Sequence, residues 1–209
     1  MAPSSDPHTV STPAELAALL GEVAEASIRK EIGFIHPHYR AMIEASPFCV
    51  MATSGPGGLD VSPRGDPPGF VFVEDEKTLL LPERRGNNRA DGLRNLLEDP
   101  RVALLFLIPG VGETLRVNGS ARISTAPALL ARFHMQGKPP KCVLVIHVES
   151  VFFQCARAIH RSRLWQHPAP DVSSRVPSAG QILEALTSAA IDGDEYDRAL
   201  PQRQRDTLY

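Results

Sequence analysis

From Pro47 onward the chain is a series of short runs rich in β-branched and aromatic residues, cut apart by turn formers, and this pattern constrains the fold more than any other feature. Residues 48–53, 59–64, 70–73 and 78–81 are separated by Gly55-Pro56-Gly57-Gly58, Asp66-Pro67-Pro68-Gly69 and Glu74-Asp75-Glu76-Lys77. Connections this short join antiparallel neighbours, because a parallel crossover needs a dozen residues or more. Residues 102–108 form a continuous apolar run that predicts a strand buried on both faces. Pro109-Gly110-Val111-Gly112 then turns the chain into a strand over 113–123, and 142–153 reads as one long strand interrupted only by His147 and Glu149. Few helices lie between these strands. The prediction is a mainly β fold, a barrel or sandwich with flanking helices, and not a doubly wound parallel sheet.

Helices are expected at the two ends and once in the middle. Thr12-Pro13-Ala14-Glu15 is a capping box with Pro at the first helical position, and Leu16, Leu19, Leu20, Val23 and Ile28 continue it as one apolar stripe to about Lys30. A short helix is expected over 39–45, another from Thr125-Ala126-Pro127 through Phe133, and a loop at 137–141. Ser178-Ala179-Gly180-Gln181 is a second capping box, for a helix to about Ala190, and the polar end 194–209 reads as a helix that docks or frays. This gives an N-terminal helical extension (1–46), a β domain (47–167) and a C-terminal helical tail (168–209).

Between the fourth strand and the middle helix lies the run Leu79-Leu80-Leu81-Pro82-Glu83-Arg84-Arg85-Gly86-Asn87-Asn88-Arg89. Gly86, Asn87 and Asn88 tolerate positive φ, an Asn N-cap would open a helix over 88–98, and the remaining first-turn amides would face Arg84, Arg85 and Arg89. Such a helix mouth attracts a phosphate, with charge at the helix end contributing roughly 0.3–1 kcal/mol. The competing reading is a solvated arginine-rich turn. Net charge over the 209 residues is −2, which argues against a nucleic-acid partner held by a strong overall field and favours a small anion in a local basic pocket.

Other residue patterns are less pointed. Cys49, Cys142 and Cys155 are odd in number and sit in apolar segments, as buried thiols of a reducing, cytoplasmic setting do. The first residues lack the basic and apolar regions of an export signal, and no uncharged apolar run is long enough to span a bilayer, so no membrane partner is expected. His36-x-His38 has no third ligand at suitable spacing, so no metal centre is expected. His147 reads as a sheet histidine, and His134 and His160 read equally well as surface groups or as facing a ligand. The glycine-rich stretch 54–58 lacks the Lys-Ser/Thr of a phosphate loop and reads as a hairpin turn.

The segment Asn87-Asn88-Arg89-Ala90, leading through the helix to Asp99-Pro100-Arg101-Val102-Ala103-Leu104-Leu105-Phe106 and then to Glu113-Thr114-Leu115-Arg116-Val117-Asn118-Gly119, resembles the pyridoxamine 5′-phosphate oxidase-like proteins. The resemblance covers the chain from Phe48 to about Trp165. It extends to Cys155-Ala156-Arg157-Ala158-Ile159-His160-Arg161-Ser162-Arg163-Leu164-Trp165, a stretch of a bacterial subgroup of unassigned function. The family's fold is an FMN-binding split barrel, so the resemblance implies a homodimer with FMN in a groove between protomers and a small-molecule substrate. It implies Arg64 and Arg89 as phosphate partners, with Ser62, Leu81, Pro82 and Asn88 along the phosphate and ring edge. Thr114 falls where the family offers the ring a polar side chain, and Arg161 and Trp165 would close the cofactor or substrate side. The catalytic residues stay open, since the cofactor carries the hydride chemistry. Vitamin B6 oxidases resemble one another in a C-terminal Arg-Leu-x-Pro ending, whereas this chain ends Gln204-Arg205-Asp206-Thr207-Leu208-Tyr209. The implied activity is therefore an FMN-dependent oxidoreductase other than a vitamin B6 oxidase. The alternatives are a deazaflavin-dependent reductase and a non-catalytic flavin or haem binder.

Overall fold

The computed structural model describes residue 6 and residues 8–166 and 175–209, so the expected boundary at 167/168 falls outside the described residues. Seven strands form one antiparallel sheet: β1 (Phe48–Gly55), β2 (Gly58–Gly65), β3 (Phe72–Asp75), β4 (Thr78–Glu83), β5 (Arg101–Leu107), β6 (Thr114–Ser124) and β7 (Cys142–Gln154). Their spatial order is β2-β1-β5-β6-β7-β4-β3. The β1–β2 hairpin pairs Gly55 with Gly58 across a two-residue loop, and Gly58 supplies the positive φ (107°) that a tight turn needs. The fold is mainly β with flanking helices, as the strand pattern predicts.

The sheet wraps around a core of Met51, Leu79, Leu104, Phe106, Leu115 and Ile146, all buried. The strand β5 departs from its expected burial. Val102, Leu104 and Phe106 face the core, but Ala103, Leu105 and Leu107 are only half-buried. No helix among the described residues covers that outer face, so the apolar run is double-sided in sequence and single-sided in the single chain.

The helix α4 (Asp91–Glu98) packs on the β1–β2 hairpin through Gly92, Asn95 and Leu96. The Asn95 amide donates to Thr53 Oγ1 (3.3 Å) and to the Gly58 carbonyl (3.2 Å), which fixes the hairpin against the helix. At the other end α3 (Pro37–Ala45) buries Ile43, and its start is set by His36, whose Nδ1 accepts from the His38 N–H at 3.2 Å. The histidine pair is thus used in a helix cap.

The long N-terminal helix is two pieces, α1 (Pro13–Leu20) and α2 (Glu25–Arg29), broken at Gly21, whose φ is 76°. The capping box is present, yet neither piece buries a residue, and Leu19 and Leu20 are 69% and 73% exposed. Short helices α5 (Pro127–Ala131) and α6 (Arg157–Ser162) follow β6 and β7. In the tail, α7 (Ala179–Leu186) stops short of the expected end, with Ser188 and Ala189 both at positive φ, and α8 (Gly193–Asp206) packs back on it. The carboxylate of Asp197 accepts from the Ser178 hydroxyl and the Gly180 N–H, tying the two helices together. No helix among the described residues is long and apolar enough to cross a membrane.

One close approach makes the sheet testable. A Cβ on Gly119, at the irregularity of the β6–β7 ladder, would lie 2.0 Å from the His147 carbonyl oxygen, whereas one on Gly57 meets nothing within 4 Å. Gly119→Ala should lower the unfolding free energy in urea by about 3 kcal/mol or more, and Gly57→Ala should stay within about 0.5 kcal/mol of the parent. Equal stabilities would show that the ladder there is free to shift.

Candidate functional site

Strands β2 and β4 are not neighbours in the hydrogen-bonded order, yet their ends meet through side chains. Arg64 Nε of β2 lies 3.0 Å from Glu83 Oε2 of β4, both side chains under one-fifth exposed. One step beyond each strand, Arg84 Nε lies 2.9 Å from Asp66 Oδ2, whose side chain is 2% exposed. Two ion pairs thus bridge this seam in opposite senses.

Above the seam the connection from β4 to α4 encloses a cavity of about 620 Å³. Asp60, Ser62 and Arg64 of β2 form one wall, with Pro63 reaching it only at the backbone between them, and Pro82 and Glu83 form the next. Residues 84–90 form the rim, and Phe70, Gly92, Leu93 and Lys141 complete it. Alternation along β2 explains the first wall: Asp60, Ser62 and Arg64 share one face, while Leu59, Val61 and Pro63 share the other. Five cationic side chains (Arg64, Arg84, Arg85, Arg89 and Lys141) meet three carboxylates (Asp60, Glu83 and Asp91) at the cavity. The local balance is positive although the chain as a whole is negative.

The helix mouth differs from its expected form. Asn88 and Ala90 both take positive φ (61° and 56°), so the helix starts at Asp91 with Ala90 as an N-cap that has no side chain to cap it. Asn87 instead accepts from the Arg89 N–H at 3.0 Å within the loop. Asp91 stands in the first turn, and Asp60 Oδ2 lies 2.7 Å from where a Cβ on Gly92 would be. Two carboxylates therefore face the helix end. The positive potential comes from Arg64, the rim arginines and Lys141, whose ammonium donates to Asn88 Oδ1.

Of the residues picked from sequence, Ser62, Arg64, Pro82, Asn88 and Arg89 line this one cavity. Arg89 is ion-paired to Asp91 and its side chain is 79% exposed. Leu81 is not at the cavity; its side chain is fully buried with Leu79 in the core, on the opposite side of β4 from Pro82. Thr114, Arg161 and Trp165 do not line it either. Thr114 is buried against Gln154, with 3.4 Å between Oγ1 and Oε1, and Trp165 Nε1 donates to the Val111 carbonyl at 2.6 Å, pinning the β5–β6 turn. Arg161 lies on exposed α6. Sequence reasoning missed Asp60 and Lys141. Lys141 directly precedes β7, whose register sets Cys142 opposite Glu83, so a correct β4–β7 pairing would have found it.

Cys49 pairs with Arg64 in the β1–β2 register and is buried behind the cavity wall. Burial pushes its thiol up from 9.0 to about 12 and raises the Cys142 thiol in the same direction. Cys155 is exposed.

Residues 35–155 match the model of the pyridoxamine 5′-phosphate oxidase family. No curated protein matches the sequence. Among solved structures, HupZ of Group A Streptococcus is 21% identical over 58% of this chain and 94% of its own, with a TM-score of 0.48. A Clostridium acetobutylicum protein of the pyridoxinephosphate oxidase family, related to general stress protein 26, is 15% identical over 56% and 86%, with a TM-score of 0.45. An F420 reductase is 21% identical over 57% and 98%, with a TM-score of 0.41.

The thiols give a direct test of this wall. At pH 8 an aromatic disulfide reagent should titrate Cys155 rapidly, with Cys49 and Cys142 reacting only after denaturation. A raised thiol pKa favours folding below the unfolded value and ceases to do so as pH climbs through the folded one. Urea stability should therefore fall as pH rises from about 9 towards about 12, and Cys49→Ala should flatten that slope. Rapid labelling of Cys49 in the native protein would show that the β1–β2 wall opens.

Proposed function

The chain belongs to the pyridoxamine 5′-phosphate oxidase family, and on that premise we propose that it is an FMN-dependent oxidoreductase that holds the cofactor phosphate in the cavity between β2 and the 84–90 rim. The observation that carries this reading is the cluster of Arg64, Arg84, Arg85, Arg89 and Lys141 around Ser62 and Asn88 in one cavity. The donor set fits FMN. A phosphate needs guanidinium, ammonium, hydroxyl and amide donors, and a flat tricycle needs apolar wall, which Phe70, Pro82 and Leu93 provide. The volume of about 620 Å³ lies in the usual range for small-molecule sites, roughly 300–1,000 Å³.

When bound, FMN would supply the hydride chemistry. The protein's part is to bind and orient. Glu83 fixes the Arg64 guanidinium in one direction, so the donor facing the phosphate is preset. Lys141 and Asn88 are already joined and close the rim as a unit. Ser62 donates to Asp60 Oδ2 at 3.1 Å, and its oxygen remains an acceptor for a ligand hydroxyl.

The same reading makes the protein a homodimer. The outer face of β2, β1 and β5 carries Val61, Val50, Ala52, Ala103 and Leu105 in one patch, with Val61 68% exposed. A second copy covers such a face in obligate homodimers. Thr114, Arg161 and Trp165, which lie off the cavity within one chain, are then assigned to the groove that the two protomers share. The free thiols fit a reducing, cytoplasmic setting.

FMN and riboflavin titrations followed by flavin fluorescence test the phosphate site. Arg89→Ala, which leaves both seam ion pairs intact, should weaken FMN roughly 10- to 100-fold, the equivalent of one charge-assisted contact, and leave riboflavin almost unchanged. Equal affinity of the parent protein for FMN and riboflavin would exclude this placement. Preference for a deazaflavin over FMN would favour the reductase alternative, and bound flavin without turnover of any reductant the non-catalytic one.

Sedimentation tests the dimer. Leu105→Asp should yield monomers at micromolar concentration with flavin affinity reduced at least tenfold, because a charge in that patch costs a few kcal/mol on association. A monomer with full affinity would remove the shared groove.

A further inference from the structure

Tyr209 is docked beside the cavity by three contacts. The Tyr209 hydroxyl donates to Asp66 Oδ1 at 2.6 Å, and its ring centroid lies 5.8 Å from the Arg84 guanidinium carbon. The Tyr209 carbonyl accepts from Lys138 Nζ at 2.8 Å. Arg84, in turn, is held by Asp66 through Nε and donates through Nη1 to the Phe133 carbonyl at 2.6 Å. Arg84 lines the cavity, while Asp66 and Tyr209 stand behind it. Helices α7 and α8 pack chiefly on each other, and Tyr209 joins the tail to the β domain through Asp66, Arg84 and Lys138.

We propose that Tyr209 is a positioning residue that holds Arg84 in the cavity wall, so that docking of the tail and binding of an anion in the cavity stabilise each other. The proposal rests on the cavity being the anion site argued above. The almost fully buried Asp66 carboxylate is shared between Arg84 and Tyr209, and each bond lowers the cost of burying its charge. Removing the phenol leaves Arg84 as its charged partner with one acceptor site unfilled, which loosens the orientation of the guanidinium. The bond to Asp66 also pushes the phenol above its ordinary range. Coupling of this kind is reciprocal: whatever factor the tail adds to anion affinity, the anion must add to tail docking.

Two measurements on the full chain test it, one of them free of any ligand. Phenylglyoxal labelling of Arg84, read by peptide mass spectrometry in the ligand-free protein, should run at least about fivefold faster in Tyr209→Ala than in the parent, with Tyr209→Phe in between because it keeps the ring over the guanidinium. Equal labelling in all three overturns the proposal. Flavin titrations should show FMN weakened roughly fivefold in Tyr209→Phe with riboflavin unchanged, and FMN should slow tryptic cleavage after Arg203 and Arg205 by a matching factor in the parent alone. If FMN binds but its preference over riboflavin is the same in parent and variants, the coupling is refuted even where the tail is freed. If the parent binds no FMN, the flavin reading falls, and the ligand-free labelling alone supports or overturns the latch. A thermal melt unchanged in Tyr209→Phe separates these effects from a loss of folding.

Discussion

The structure depends on how β2 and β4 are held together without a ladder between them. Arg64–Glu83 and Arg84–Asp66 cross the seam in opposite directions, each joining a guanidinium on one side to a carboxylate on the other. Taking four charges largely out of water is costly, and the pairs offset that cost only because their geometry is short and fixed. An apolar seam would close as well or better. An ionic one leaves guanidinium groups held in fixed orientations at the floor of a cavity. Breaking either pair by removing one partner would strand a buried charge, so the seam is at once closure and site.

That arrangement also decides where positive charge gathers. A helix N-terminus with free amides is a natural phosphate site, but here Asp91 occupies the first turn and Asp60 stands against Gly92. The two left-handed residues Asn88 and Ala90 delay the helix and throw the rim out over the cavity. The donors that face the cavity then come from strand β2, the rim and Lys141, which converge from three separate parts of the chain. The lining of the cavity thus depends on the register of β4 on β7, which places Lys141 beside Glu83.

Several apolar surfaces are left open in the single chain. The outer face of β2, β1 and β5, the stripe of α1 and α2, and Ile182 and Leu186 of α7 all face water. An eight-residue helix is marginal on its own in water, so α1 with no buried residue draws little stability from its own protomer. Homodimerisation through the sheet face would cover the largest of these surfaces and extend the cavity wall with residues from the second copy.

The local sequence determined the elements. Turn residues at 55–58, 66–69 and 109–112 and the β-rich runs between them fix an antiparallel sheet, and the capping boxes at Thr12 and Ser178 start their helices where expected, because each of these rests on neighbours a few residues away. The family resemblance named Ser62, Arg64, Pro82, Asn88 and Arg89, which do share one cavity. What the sequence could not decide depends on pairing across distance. Whether β5 is covered on one face or two, whether the apolar stripe of the N-terminal helix finds a surface, and that Leu81 turns inward while Pro82 faces the cavity follow from how the sheet curls. Lys141 and Asp60 join the site only through register, and Tyr209 meets Asp66 at a separation of 143 residues. Local propensity carries no information on contacts of that span, since they are set by which faces the curled sheet brings together.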